Sequence, residues 1–300
     1  MKLNKFILAL AAALAIVSGL AGCGSRSSAT TQSGKSLNVV ASVDFYGEAA
    51  KSVLGDHGHV TSIIDNPNID PHDYEPTSNV GKEVAKADVI VENGDGYDSW
   101  MNRLRNGSGA KTITVSAANV VGVKNGENEH IWYKPQTMPK MANALAKAFG
   151  KLDPAHRTDY QKNAKAYIAS LQPMMKLINK LKANAKGKEV AVSEPVFVNA
   201  LNYLGYKVTD AHFAKAIEDS SDPSTADMRH LQADIKQKRI EFFVQNTQVQ
   251  SKIVNHLVAQ CKQAGVPVLK VTETLPAHKS YTSWMMSQYK ALEKIQKVNQ

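Results

Sequence analysis

Cysteine is nearly absent from this chain: two residues in 300, at positions 23 and 261. That is too few for a disulfide scaffold or a cysteine-rich zinc module. No GxGxxG pattern and no HExxH pattern occurs, so neither a dinucleotide fingerprint nor a zincin helix is present. The apolar run at 6–17 has only twelve residues, short of the about 20 that a membrane-spanning helix needs. Nor is there the apolar-poor, highly charged balance of a disordered chain, because 43% of residues are hydrophobic and 21% charged. Acidic residues are outnumbered, 27 against 36 basic, for a net charge of +9. An excess of that size first suggests nucleic acid. However, the lysines are scattered over helical stretches (Lys162, Lys165, Lys176, Lys180, Lys182, Lys186) with no aromatic interleaving and no binding motif, which excludes that partner.

The N-terminus reads as a targeting segment. Lys2 and Lys5 precede the apolar stretch Phe6–Val17, and Leu20-Ala21-Gly22-Cys23 follows directly. Leu-Ala-Gly-Cys resembles the bacterial lipobox, in which the peptide is cut before the cysteine and the thiol is diacylated. The expectation is a signal peptide over 1–22 and a lipidated, flexible tether over 23–35, rich in Gly, Ser and Thr. Loss of Lys2 and Lys5 leaves 34 basic against 27 acidic residues, a mature charge of +7. Such a body suits an anionic membrane and wall, so the expected location is the extracellular face of a cell membrane, lipid-anchored and Gram-positive. Cys261 is left without an intramolecular partner and reads as a buried structural thiol.

Beyond residue 35, short β-rich runs alternate with helical stretches. Strands are expected at 36–41, 60–64, 87–91 and 112–115, and again at 189–192, 240–244 and 266–271. Alternation of this kind predicts an α/β fold with two lobes, each a mostly parallel sheet flanked by helices. Between them Tyr160, Ala164, Tyr167, Leu171, Met174, Ile178 and Leu181 form one apolar stripe at helical spacing. A helix over 154–184 would be about 45 Å long at 1.5 Å per residue. The expected organisation is an N-terminal lobe over 36–152, a long linker helix within 153–186 and a C-terminal lobe over 187–300. Pro173 should kink or split the linker.

Four polar positions follow strands, where open α/β sheets place their ligands. His72 lies in NIDPHDYEP after the strand 60–64, and flanking prolines stiffen the loop around it; a histidine among acids can equally be plain surface. His130, in EHIWY, precedes three large apolar residues, which fits an imidazole facing a cleft or a satisfied interface histidine. Glu194 in SEPVF stands where a strand gives way to a helix, a place that also favours an acid through the helix dipole. Glu273 in VTETLP repeats that arrangement. Two imidazoles and two carboxylates make a mixed nitrogen and oxygen set, suited to manganese, zinc or iron.

DPHDYEP, EHIWY, SEPVF and VTETLP, in this order and at these separations, together resemble the cluster A-I metal-binding lipoproteins. These are the solute-binding components of bacterial zinc and manganese ABC transporters. The similarity spans essentially the whole mature chain and includes VENGDGYDSWM and Asp222-Pro223-Ser224. It implies two α/β lobes joined by a long helix, with one divalent ion (Mn²⁺ or Zn²⁺) held between them as cargo. It further implies delivery to an ABC permease, a membrane anchor through Cys23 and a monomeric chain. By the resemblance His72, His130, Glu194 and Glu273 are the metal ligands. Glu194 matches manganese-type members, whereas zinc-type members usually carry histidine there, and Glu273 replaces the family's aspartate. If Glu194 is not a ligand, His212 or His278 could complete a three-histidine zinc site, and His57 with His59 reads as a solvated turn. The competing functions are a secreted zinc-dependent hydrolase, which would need an open coordination position and a general base, and a surface adhesin with a structural metal.

Overall fold

A computed structural model describes residues 35–107, 109, 111–124 and 126–298. The signal segment, the lipidation site Cys23 and nearly all of the tether lie outside the described residues.

The first half is a four-stranded parallel sheet in the order β2-β1-β3-β4. It is built from β1 (Leu37–Val43), β2 (Gly58–Ile64), β3 (Val89–Glu92) and β4 (Ile113–Ser116), with α1 (Asp44–Leu54), α2 (Ser78–Ala85), α3 (Trp100–Arg105), α4 (Ala117–Val121) and α5 (Thr137–Leu152) between and after them. β1 is buried on both faces, as the continuous run LNVVASV requires of a central parallel strand. Val39 pairs with Val60 on one side and Val89 on the other. The same order recurs in the second half as β6-β5-β7-β8, from β5 (Glu189–Val192), β6 (Lys207–Val208), β7 (Phe243–Asn246) and β8 (Val268–Val271). Its helices are α8 (Val198–Leu204), α9 (Ala211–Glu218), α10 (Thr225–Lys236), α11 (Lys252–Ala264) and α12 (Tyr281–Val298). The Asp222-Pro223-Ser224 segment ends in the N-cap of α10, where Ser224 accepts from the Asp227 N–H. Strand β6 lies outside the expected set, because two residues carry no periodicity.

The connection is a 3-10 turn (Pro154–His156) followed by α6 (Arg157–Ser170) and α7 (Gln172–Ala185). The break at Leu171 comes two residues before Pro173, whose missing N–H cannot continue the ladder. The chain turns at Lys186 and Gly187, both in the left-handed region. Helix α6 packs on α1 and α5, while α7 packs on α8 and α12, so each piece serves one lobe.

The lobes meet in a shared aromatic core. Phe45, Trp132 and Tyr133 come from the first half, Phe197, Trp284 and Tyr289 from the second, and all are at most 2% exposed. Ring centroids lie 5.1 Å apart for Phe45–Trp132, 5.7 Å for Phe45–Trp284 and 4.9 Å for Tyr133–Phe197. Such pairs contribute about 0.5–1.5 kcal/mol each beyond area burial. Hydrogen bonds stitch the same seam: Tyr133 donates to the Thr272 carbonyl (2.6 Å), Tyr281 to the Trp132 carbonyl (2.7 Å), and the Tyr281 N–H to Glu48 (2.7 Å). No helix among the described residues is long and apolar enough to cross a membrane.

Candidate metal centre

Carboxyl ends of both sheets open onto one cleft of ≈ 910 Å³, whose wall includes Asp70, Glu194, Glu218 and Glu273. Residues Pro67 to Pro71 form the N-terminal side of it, and the VENGDGYDSWM segment at the end of β3 supports that loop from behind. Asp98 accepts from the N–H groups of Asn93 (2.6 Å) and Gly94 (2.9 Å), closing a tight turn. Gly94 is required there: its φ is +78°, and a Cβ would fall 2.6 Å from Ser116 Oγ. The turn aims Asn93, whose amide donates to the Glu129 carbonyl (3.0 Å), while Trp100 Nε1 donates to the Pro71 carbonyl (3.2 Å). One motif therefore fixes both histidine-bearing loops. Tyr97, fully buried, adds its ring edge-on to His72, with centroids 5.1 Å apart.

His130 is 1% exposed. Its own N–H donates to Asn128 Oδ1 (3.0 Å), and its Nδ1 lies 3.2 Å from the same oxygen. An oxygen that accepts a backbone N–H requires Nδ1 to be the protonated ring nitrogen, which leaves the Nε2 lone pair free toward the cleft. Asn128 is held in turn by Asn199, which donates to Asn128 Oδ1 (2.9 Å) and to the His130 carbonyl (3.0 Å). Burial, then the nearby His72 and Lys215, pushes the His130 imidazole well below its usual value, so it stays neutral and able to ligate.

His72 is about a third exposed, and its N–H is capped by Asp70 (2.8 Å). His72 Nε2 lies 3.7 Å from Glu273 Oε1, and His130 Nε2 lies 4.0 Å from the same oxygen. Donors of one ion, each bonded at about 2.0–2.2 Å, sit roughly 3–4.4 Å apart. His72, His130 and Glu273 thus form a set with ligand atoms all within 4.8 Å of one another. Gln248 fixes the Glu273 backbone by accepting its N–H (2.7 Å) and that of Thr274 (3.0 Å). Glu273 Oε1 is buried and unpartnered. Burial, reinforced by Asp70, Glu194, Glu218 and Glu129, drives its carboxyl well above the usual range.

Glu194 lies on the cleft wall but outside that set. Its Oε2 accepts from Asn246 Nδ2 (2.7 Å), and burial, with Asp70 nearby, raises its carboxyl to about 7. The residue that sequence reasoning passed over is Glu218, at the C-terminus of α9. Its Oε1 is 3.9 Å from His130 Nε2 and forms a second close set with Glu129 and His130. The available signal was an acid at a helix C-terminus, where the dipole disfavours it. His212 lines a separate pocket with Asp210, Asp227 and His230, and His278 is exposed in a left-handed turn. Neither joins a close set among the described residues. His57 departs from the solvated turn expected of it: it stacks on His156 at 3.9 Å and pairs with Asp159 (3.2 Å). Cys261 is buried in α11, which pushes its thiol up to about 12.

Comparison with known proteins points the same way. The chain is 32% identical over 213 residues to the metal ABC transporter substrate-binding lipoprotein ScbA of Streptococcus cristatus, covering 66% of this chain and 67% of that one. It is 26% identical over 266 residues to the manganese-binding lipoprotein MntA of Bacillus subtilis, covering 85% of each. For eight of the curated relatives the matched share of the relative's own length runs from 58% to 85%. The fold matches the periplasmic zinc binding protein TroA of Treponema pallidum with a TM-score of 0.72 at 18% identity, over 87% of this chain and 99% of that one. Residues 39–295 match the family described as zinc-uptake complex component A, periplasmic. The chain belongs to that family.

Proposed function

We propose that this protein captures one divalent metal ion in the cleft between its lobes and hands it to an ABC permease, while anchored at the outer membrane face through Cys23. The observation that carries the reading is the convergence of His130 Nε2, His72 Nε2 and the unpartnered Glu273 Oε1 from three separate loops. An unpartnered buried carboxylate oxygen beside two imidazoles costs free energy that a cation recovers. The family consists of solute-binding components, not enzymes. Among the relatives, some are named for manganese, another for zinc and others for iron, and a structural neighbour is named for zinc.

His72, His130 and Glu273 are the proposed ligands, and Glu194, on the wall of the same cleft, is the proposed fourth. Two imidazoles with carboxylates favour manganese, since Mn²⁺ accepts oxygen-rich sites of higher coordination, while Zn²⁺ binds the same donors tightly by the Irving–Williams order. Because the aromatic seam ties the lobes together, release proceeds by local movement of ligand loops against a packed core. Equilibrium dialysis with metal analysis tests capture: His72→Ala with His130→Ala should abolish stoichiometric binding of both metals, and retention of one ion per chain would sink the assignment.

A further inference from the structure

We propose that the basic groove between α5 and α6 docks on anionic phospholipid headgroups, so that this face of the first lobe lies against the membrane. The inference rests on the Cys23 anchoring in the reading above and adds the surface of the body that meets the bilayer.

The groove has a volume of ≈ 760 Å³. Four cations line it, Lys147 and Lys151 from α5 and Arg157 and Lys165 from α6, and no acid does. All four are exposed, and among the described residues none has a carboxylate partner. By contrast, Lys180 on α7 pairs with Glu293, and Lys182 sits over the Tyr203 ring. Lys147 and Lys151 stand four apart on one helix face, a like-charge spacing that costs stability unless an anion lies beside them. Arg157 is fixed in place. Its Nε and Nη2 donate to the Gly150 carbonyl (3.2 and 3.1 Å), two of its five N–H groups, which leaves three for a phosphate oxygen. Gly150 makes that close approach possible, because a Cβ there would fall 2.9 Å from Arg157 Cγ.

The groove also sits where the chain enters the body. Asp153, between Lys151 and Arg157, accepts from the Tyr160 hydroxyl (2.6 Å) and is hydrogen-bonded to the Lys35 backbone. The Lys35 ammonium pairs with Asp88. Lys35 is twelve residues from Cys23, and twelve residues reach at most about 43 Å. A lipid on Cys23 therefore keeps this corner close to the bilayer, with unanswered positive charge beside it. None of the four cations lines the metal cleft, so docking here leaves the cleft open.

The test uses the mature chain, residues 23–300, with Cys23→Ser so that no lipid contributes. It is sedimented with vesicles of phosphatidylglycerol and phosphatidylcholine in equal amounts. A lysine at an anionic surface adds about fivefold in affinity. Lys147→Gln/Lys151→Gln/Lys165→Gln should therefore bind roughly a hundredfold more weakly, and binding should fade as salt is raised. Lys236→Gln/Lys262→Gln/Lys290→Gln removes the same charge from exposed positions of the second half and should keep most of the binding. Equal losses in the two triple variants overturn the proposal, as does no sedimentation of the parent chain, or equal sedimentation with phosphatidylcholine alone. Release from the vesicles by poly(glycerol phosphate) at matched phosphate also overturns it, because the groove then belongs to a wall polymer. Mn²⁺ titration of the same preparations should give one affinity throughout. A parent chain that sediments but takes up no metal loses the capture reading and keeps the groove. The mass of the chain extracted from cells reads the lipid on Cys23 separately, so a failed anchor is told apart from a failed groove.

Discussion

Replacing Asn128 with alanine tests the centre at the point where its chemistry depends on a residue that never touches the ion. Asn128 Oδ1 is the acceptor that places the proton of His130 on Nδ1, at 3.2 Å, and its amide donates to the Pro195 carbonyl across the lobe boundary at 2.7 Å. The alanine variant strands a ring N–H on a residue only 1% exposed. An unsatisfied buried donor costs about 1–3 kcal/mol. The freed ring can then shift its proton to Nε2 and block the ligand position, and loss of an orienting partner of this type lowers metal affinity about 10- to 100-fold. At about 1.4 kcal/mol per tenfold, that is roughly 1.4–2.8 kcal/mol of binding free energy. Competitive Mn²⁺ titration against a chelating dye measures the loss of affinity, and melting of the metal-free protein the loss of stability. Asn128→Asp keeps the acceptor but not the donor to Pro195, so it should recover most of the affinity and only part of the stability. Wild-type affinity in Asn128→Ala, or an aspartate variant no better than alanine, would refute the tautomer argument.

Three further outcomes are expected. Glu194 and Glu218 have folded-state carboxyls raised from 4.5 to about 7, so the folded form holds more protons than the unfolded form between those values. Metal-free stability should therefore decline as pH rises from about 4.5 through about 7, and metal affinity should weaken as pH falls below about 7; a metal-free melting point that climbs over that window argues against it. Trp100→Phe keeps an aromatic ring, though a smaller one, and deletes the 3.2 Å bond to the Pro71 carbonyl. It should cost about 0.5–1.5 kcal/mol and a several-fold loss of metal affinity with the circular dichroism unchanged, and an unaltered titration would count against loop positioning by this bond. Gly94→Ala places a Cβ 2.6 Å from Ser116 Oγ at φ +78°, so it should destabilise by more than about 1 kcal/mol and lower the melting point by several degrees; a melt within a degree of wild type would contradict the strain.

Strand positions are legible wherever burial on both faces forces a continuous apolar run. The strand expected at 189–192 coincides with β5, and VIVE of β3 is buried along its whole length. Legibility stops where tertiary pairing creates the element. Lys207–Val208 is a strand only because Glu189 and Val190 lie beside it, and Ile240, Glu241 and Phe242 drop out of β7 because the ladder with β5 and β8 starts at Phe243. The linker break was visible for a local reason, since Pro173 lacks an N–H whatever surrounds it. The aromatic seam was not, because Phe45, Phe197 and Trp284 come from distant parts of the chain and carry no shared period.

The candidate site divides along the same line. A histidine in a loop after a strand has one ring to offer, and the backbone position of His72 and His130 largely decides where that ring goes. Glutamate has three rotatable bonds, so its backbone position decides far less. Glu194 has the expected strand-end placement, yet its carboxylate turns to Asn246, a neighbour supplied by the end of β7. Glu218 has no motif around it, yet the course of α9 carries it to within 3.9 Å of His130. Which of several acids reaches an ion is settled by hydrogen-bond competition among residues far apart in the chain, and that competition leaves no local pattern. The carboxylate half of the centre therefore has to be assigned from free oxygens, and Glu273 Oε1, buried without a hydrogen bond and within 4.0 Å of both imidazoles, is the one that closes a set with them.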